Sequence, residues 1–217
     1  MTEYENEPIP GLPGVPPTGE RILWQGSPDW RVLARTAFHT RAVAGYFALL
    51  AALALISTLS HGVAGAASFT GTAMTIIVGI FGVALLHLLA WGSARSTIYT
   101  LTNRRVVLRI GMALPKCINL PIGFVGAVNL DLRADGSGDI PLAITGPQRL
   151  GYAGLWPHAR PWRLAAAEPM LRAIPNASGV AALIARTCLA AHPEGTIAQI
   201  HHGPATAAPA FGVAVAA

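Results

Sequence analysis

Few residues in this chain are spaced for chemistry. Asp131, Asp135 and Asp139 recur every four residues around Gly136-Ser137-Gly138. A calcium loop needs oxygen ligands at alternate positions and a closing glutamate, so a solvated hairpin tip is the expected role of these carboxylates. His201-His202 pairs two imidazoles but offers no structured third ligand for a metal. Cys117 and Cys188 stand far apart and make no C-x-x-C pair, which argues against both a metal site and a disulfide framework. Ser93 and Ser96 have no base near them in the sequence. There is no Walker loop, dinucleotide fingerprint or H-E-x-x-H. The chain is therefore expected to be no enzyme, with no catalytic residue and no metal.

Other side chains are better suited to binding. His87 lies inside a long apolar run and His61 at the end of another. A neutral imidazole there is competent as an axial ligand for a magnesium-containing pigment. It is equally competent to hydrogen-bond a carbonyl on a helix, the preferred reading for both. His87 is retained as the candidate cofactor residue. Arg31, Arg35, Arg95, Arg104 and Arg105 flank the apolar runs and are the expected contacts to an anionic membrane surface. Trp156, Trp162 and Arg163 are the candidate partner-binding residues, because large aromatics and arginine dominate interface hot spots. The alternative, tryptophans filling a small core or lying on the membrane, has equal weight.

The elements that must carry these residues follow from composition. Of 217 residues, 53% are hydrophobic and only 12% charged, against about 25% charged in ordinary soluble domains. Residues 42–94 contain no Asp, Glu, Lys or Arg. Within them, residues 42–60 and 72–91 each suit a helix about 30 Å long, the thickness of a bilayer's hydrocarbon core. The Gly-rich link between them predicts a hairpin. Arginines lie on both flanks and no charge lies in the link, so both termini are expected in the cytoplasm. The net charge of +5 then speaks for lipid headgroups, with no nucleic-acid partner. The acidic, proline-rich start lacks the basic region of a signal peptide.

Ahead of the spans, Gly26-Ser27-Pro28-Asp29 predicts a helix cap, followed by an amphipathic helix of about three turns with Trp30, Leu33, Ala34, Ala37 and Phe38 on one side. It lies either on the membrane or on the cytoplasmic part. After Arg95 the period changes to two. STIYTLT, RRVVLRIG, KCINL, AVNLDLRAD and DIPLAI read as short antiparallel strands. The stretch from Thr145 to Pro175 is rich in Pro and Trp and has no clear period. Ser178 is the expected cap of a last helix bearing Val180, Leu183, Ile184 and Cys188 on its apolar face. The expected domains are 1–19, an acidic Pro-rich lead; 20–41, an amphipathic pre-membrane segment; 42–91, the transmembrane hairpin; 92–190, the cytoplasmic domain; and 191–217, an Ala/Gly/Pro-rich tail.

The order WQGSPDW, apolar hairpin, YTLTNRRVVLRIG resembles bacterial pleckstrin-homology-like membrane proteins. That resemblance implies an α+β membrane protein: a two-helix transmembrane hairpin followed by a bent β-sheet or barrel closed by a C-terminal helix. The segments GERILWQGSPDWRVLARTAFHTRA and PWRLAAAEPMLRAIPNASGVAALIA are similar to the photosynthetic complex assembly proteins of purple bacteria. These are encoded near the reaction-centre H subunit. The likeness implies a multi-pass protein of the bacterial inner (cytoplasmic or intracytoplasmic) membrane and a non-enzymatic assembly role for the reaction centre and core light-harvesting complex. The implied partners are reaction-centre and core antenna subunits and anionic lipids, with homo-oligomers left open. No resident cofactor is implied, although transient bacteriochlorophyll contact is compatible with such a role. The alternatives are a general pleckstrin-like lipid- or protein-binding envelope module without a photosynthetic role, and a small membrane hydrolase or transferase. The Trp/Pro stretch exceeds a minimal pleckstrin-like module.

Overall fold

The structure is a computed structural model and describes residues 9–60, 69–112, 115–145, 150–191 and the backbone of 201–202. His61, most of the link between the spans, residues 1–8 and most of the C-terminal tail lie outside the described residues.

A short strand, β1 (Ile22–Gly26), and a short helix, α1 (Trp30–Thr36), precede the apolar region. That region folds as two helices, α2 (Thr40–Ser60) and α3 (Thr70–Ser96), both long and apolar enough to cross a membrane. At about 1.5 Å per residue α3 is about 40 Å long, longer than the ~30 Å thickness of a bilayer's hydrocarbon core. Bulky side chains such as Leu49, Ile56, Phe81 and Leu88 face outward, whereas Ala51 and Gly79 are buried. A Cβ added to Gly79 would lie 2.7 Å from that of Phe47, so glycine permits the close approach of the two helices here.

Immediately after α3 the chain enters β2 (Ile98–Thr102), which pairs antiparallel with β1, Gly26 opposite Tyr99. The apolar hairpin is thus inserted between two neighbouring strands of one sheet, rather than placed ahead of the β-domain as expected. β3 (Arg105–Ile110) and β4 (Lys116–Pro121) complete this first sheet in the order β1-β2-β3-β4. A 3-10 turn at Ile122–Phe124 leads into the second sheet. It contains β5 (Val125–Val128), β6 (Leu130–Leu132), β7 (Gly138–Ile144), β8 (Met170–Ile174) and β9 (His201–His202). β5 and β6 pair with successive halves of β7, β8 takes the other edge of β7, and β9 runs parallel to β6.

The fold is α+β with a PH-like bent sheet, but the expected barrel closure is wrong. Among the described residues the strands form two sheets, and no ladder joins the edges β1 or β4 to the second sheet. Side-chain packing links them instead. Tyr99, Leu101, Val106 and Leu108 of the first sheet and Val128, Ile140, Leu142 and Leu171 of the second enter one apolar cluster. A one-turn helix, α4 (Tyr152–Leu155), precedes β8, and the last helix, α5 (Ala177–Ala191), adds Val180, Ile184 and Cys188 to the cluster, at the four-residue spacing that keeps side chains on one helical face. Ser178 lies inside this helix rather than capping it, and Asn176, with φ +52°, occupies the turn before it.

Two further differences concern the N-terminal region. α1 is capped by Asp29, whose carboxylate accepts from Arg31 N at 2.8 Å, but it spans seven residues rather than three turns. The chain breaks at His39, with φ +50°, before α2 begins. The described part of the proline-rich lead packs on its own sheet. Leu12 is fully buried, Gln25 Nε2 donates to Pro10 O at 2.7 Å, and Asn103 Nδ2 donates to Gly19 O at 2.9 Å.

Candidate functional site

The most organised polar chemistry lies where α1, the end of α3, β2 and β8 converge. α1 places Val32, Leu33 and Ala34 against Ala90 and Ala94 of α3 and Ala173 of β8. Its cap residue is fixed from the other side, Asp29 N donating to Ala173 O at 2.8 Å. The helix therefore packs on the β-domain through one face. Arg31 and Arg35 remain exposed on the other.

Under α1 runs a buried chain of hydrogen bonds. Thr97 Oγ1 donates to Ser93 O at 2.7 Å in the last turn of α3. His158 Nε2 lies 3.1 Å from Thr97 Oγ1, and His158 Nδ1 lies 2.6 Å from the Tyr99 hydroxyl. Tyr99 OH in turn accepts from Arg172 N at 3.2 Å, and Arg172 Nη1 donates to Pro157 O at 3.0 Å. One assignment satisfies the side chains of Thr97, His158 and Tyr99 together: His158 donates from Nε2 to Thr97 and accepts at Nδ1 from Tyr99. It requires a neutral imidazole. Burial, helped by the Arg172 charge, pushes the His158 pKa down to about 3. Burial also raises the Tyr99 phenol, so that it stays protonated. Alongside, Asp139 accepts from Ala173 N at 2.7 Å and from Arg133 at 2.5 Å.

A cavity of about 330 Å³ opens beside this network. Trp156, Trp162 and Leu164 form its outer wall, and Tyr152, His39 and Arg172 also line it. Two of the partner-binding candidates are therefore neighbours. Trp156 also meets Phe38 edge-on, with ring centroids 5.5 Å apart. Trp162 is 95% exposed. Arg163 is exposed and 3.5 Å from Glu168, which also takes Arg160 at 2.8 Å.

The five membrane-surface candidates fall into separate places. Arg31 stacks over Trp30 at 5.3 Å, and Arg35 Nε donates to Arg31 O at 3.1 Å. Arg95 lies 5.7 Å from the centre of the Trp91 ring, near the end of α3. Arg104 is exposed in the turn after β2, and five strand residues separate that turn from α3 by about 16 Å. Arg105 is drawn to Glu20 by a two-point ion pair, Nε to Oε1 at 2.8 Å and Nη2 to Oε2 at 3.1 Å. Burial alone would raise the Glu20 carboxyl. Hydrogen bonds from Arg105 and Thr102, with the charges of Arg105 and Arg104, hold it below its ordinary pKa. His87 Nδ1 sits 2.8 Å from Val83 O, one turn earlier in the same helix.

Sequence reasoning missed Thr97, Tyr99, His158 and Arg172. Their one visible signal is the placement of His158 and Arg172 among apolar and proline residues in WPHARPW and AEPMLRAIP. Asp131, Asp135 and Asp139 do not converge: Asp135 binds its own Ser137 at 2.6 Å, while Asp139 turns into the buried network. Among the described residues, no group of three or more His, Cys, Asp or Glu side chains could hold a metal ion.

No solved structure matches the chain. A relative from Rhodobacter capsulatus, described as "Uncharacterized 23.7 kDa protein in puhA 5'region", is 36% identical over 215 residues, covering 99% of this chain and 97% of the relative. The family profile described as Bacterial PH domain matches residues 41–187, a span that takes in both helices of the inserted hairpin, the polar network and most of α5. With more than half of its length so matched, the chain belongs to the bacterial PH domain family.

Proposed function

We propose that this protein is a non-enzymatic assembly factor of the bacterial inner membrane that serves the photosynthetic reaction centre and its core light-harvesting complex. The observation that carries the reading is the likeness along almost the whole chain to a protein named for the puhA 5' region, the neighbourhood that the family resemblance also implies. A PH-type fold supports binding rather than catalysis. The inserted hairpin supports the site of action: α2 and α3 offer exposed apolar faces to transmembrane subunits, while the β-domain stays fixed to their ends. The pairing of β1 with β2 supports a topology in which the segments flanking the hairpin share one side of the membrane, and the arginines around it favour the cytoplasmic side. Trp162 and Arg163 are the proposed contacts to the client's cytoplasmic part. Arg31, Arg35 and Arg95 are the proposed contacts to anionic lipid.

Deleting the gene should lower the yield of intact reaction-centre and core antenna complexes, read by native gel and near-infrared absorption of membranes. Respiratory complexes and pigment synthesis should persist. A deletion strain with normal complex yield under photosynthetic growth would reject the assembly role and favour a general PH-type membrane module.

A further inference from the structure

We propose that the cavity between Trp156 and Trp162 receives a large apolar side chain from an acidic peptide segment of a partner protein. The identity of that partner as a client subunit rests on the assembly reading; the chemistry of the site does not. The lining is aromatic and proline-rich, with Tyr152, Trp156, Pro157, Pro161, Trp162 and Leu164. Stiff side chains of this kind bury large areas at small entropic cost. Trp156 is further steadied by its edge-on contact with Phe38. The cavity volume of about 330 Å³ lies at the lower end of ligand pockets and suits one or two inserted side chains. A bilayer surface fits a convex apolar tip, whereas this apolar surface is concave.

The loop that carries Trp162 is pinned at its base. Arg160 N donates to Glu168 O at 2.9 Å, Arg160 Nη1 donates to the Glu168 carboxylate at 2.8 Å, and Ala159 bridges to Pro169. Within this frame Trp162 stands 95% exposed with φ +64°. A bulky residue rarely adopts that conformation, and water penalises an open indole ring, yet the fold maintains both at one position. An anchor ordered in advance loses little freedom when a partner closes on it. Charge selects the partner's composition. The lining holds Arg172 and His39 but no Asp or Glu. Arg41 and Arg163, both exposed, each lie within two residues of a lining residue, about 7 Å along the chain at most. Glu168, the acid of this loop, is already engaged by Arg160 and Arg163. The surplus is positive, so carboxylates on either side of an apolar anchor complement it.

The test is binding of fluorescently labelled synthetic peptides to the full-length protein in mild detergent, read by anisotropy. The first peptide carries two leucines between glutamates. A second replaces the leucines by alanines, and a third replaces the glutamates by lysines. The first should bind, and each exchange should weaken binding about tenfold, the scale of one hot-spot residue. Trp162→Ala should cause a similar loss, and because the ring is exposed the variant keeps its fold. Arg104→Gln, in the turn after β2, should cause none. Failure of the first peptide to bind, equal binding of all three, or binding unchanged by Trp162→Ala would overturn the site. Displacement of the first peptide by phosphatidylglycerol in preference to phosphatidylcholine would assign the surface to lipid and overturn it too. Complex yield is not the readout. Failure of the site therefore leaves the assembly role standing, and a normal yield in the deletion strain leaves the site standing with a different partner.

Discussion

The hairpin and the β-domain arrange the same kinds of side chain in opposite ways. In the β-domain the large residues Tyr99, Leu108, Ile140 and Leu142 are fully buried. In the hairpin Leu49, Ile56, Phe81 and Leu88 are more than half exposed, and the buried positions go to Ala51 and Gly79. Water would penalise the second arrangement, whereas lipid tails are as apolar as leucine and leave close backbone approach as the stronger driving force. The contrast is the one expected if two solvents act on one chain. The buried polar network of Thr97, Tyr99, His158 and Arg172 lies between the two regions, at the end of α3.

The largest effect should come from exchanging equivalent deletions across the boundary. Leu142→Ala should cost about 2–5 kcal/mol of domain stability, whereas Ile56→Ala should cost far less, as measured by thermal unfolding in detergent. Equal losses would mean that the hairpin is packed inside protein, and the contrast would fail. Next is the network itself. Tyr99→Phe removes the hydroxyl from between His158 and Arg172 and should cost about 1–3 kcal/mol, the penalty for unsatisfied buried groups. An unchanged melting temperature would mean that the network contributes no stability at the junction.

The third effect is a pH slope. His158 is neutral when folded, its pKa held at about 3, but the unfolded chain takes up the proton near pH 6.5. This contribution is complete above pH 6.5 and falls as pH drops toward 3, by about 1.4 kcal/mol per unit once below 6.5. Denaturation between pH 7 and pH 5 should show the loss, and His158→Gln should flatten it. The same slope in the variant would place its origin elsewhere. The smallest effect should be Glu20→Gln, at about 1 kcal/mol or less, because Arg105 is still 26% exposed to solvent. The contribution of Glu20 should vanish in acid, as pH falls through its depressed pKa. A larger loss would make the docked lead a structural part of the first sheet rather than a trim on its surface.

Legibility in the sequence follows the range of the interactions. The two spans could be read because 53 consecutive residues, 42–94, carry no charge. The strands after Arg95 could be read from local alternation, although Val106, Val107 and Leu108 are buried in succession in β3. β1 could not be read: it is five residues long, and its partner lies beyond the whole hairpin. β8 was hidden because all five of its residues are buried, which removes the two-residue period, and prolines stand on both sides. The candidate site was half visible. Trp156 and Trp162 stood out by type, but Arg172 and His158 acquire meaning only when β8 and the segment after α4 (Tyr152–Leu155) meet the end of α3.

The pairing of β1 with β2 across the hairpin also sets an order of events during synthesis. β1 leaves the ribosome first, yet its partner emerges only after both apolar helices have been made. A hairpin inserted with a single crossing would strand β1 and β2 on opposite faces of the bilayer, and the first sheet could not form. If both helices cross the membrane as proposed, pairing of β1 with β2 would therefore depend on correct insertion of the hairpin. Chains that enter the bilayer wrongly keep an unpaired strand edge, the form of surface that aggregation and quality-control proteolysis act on.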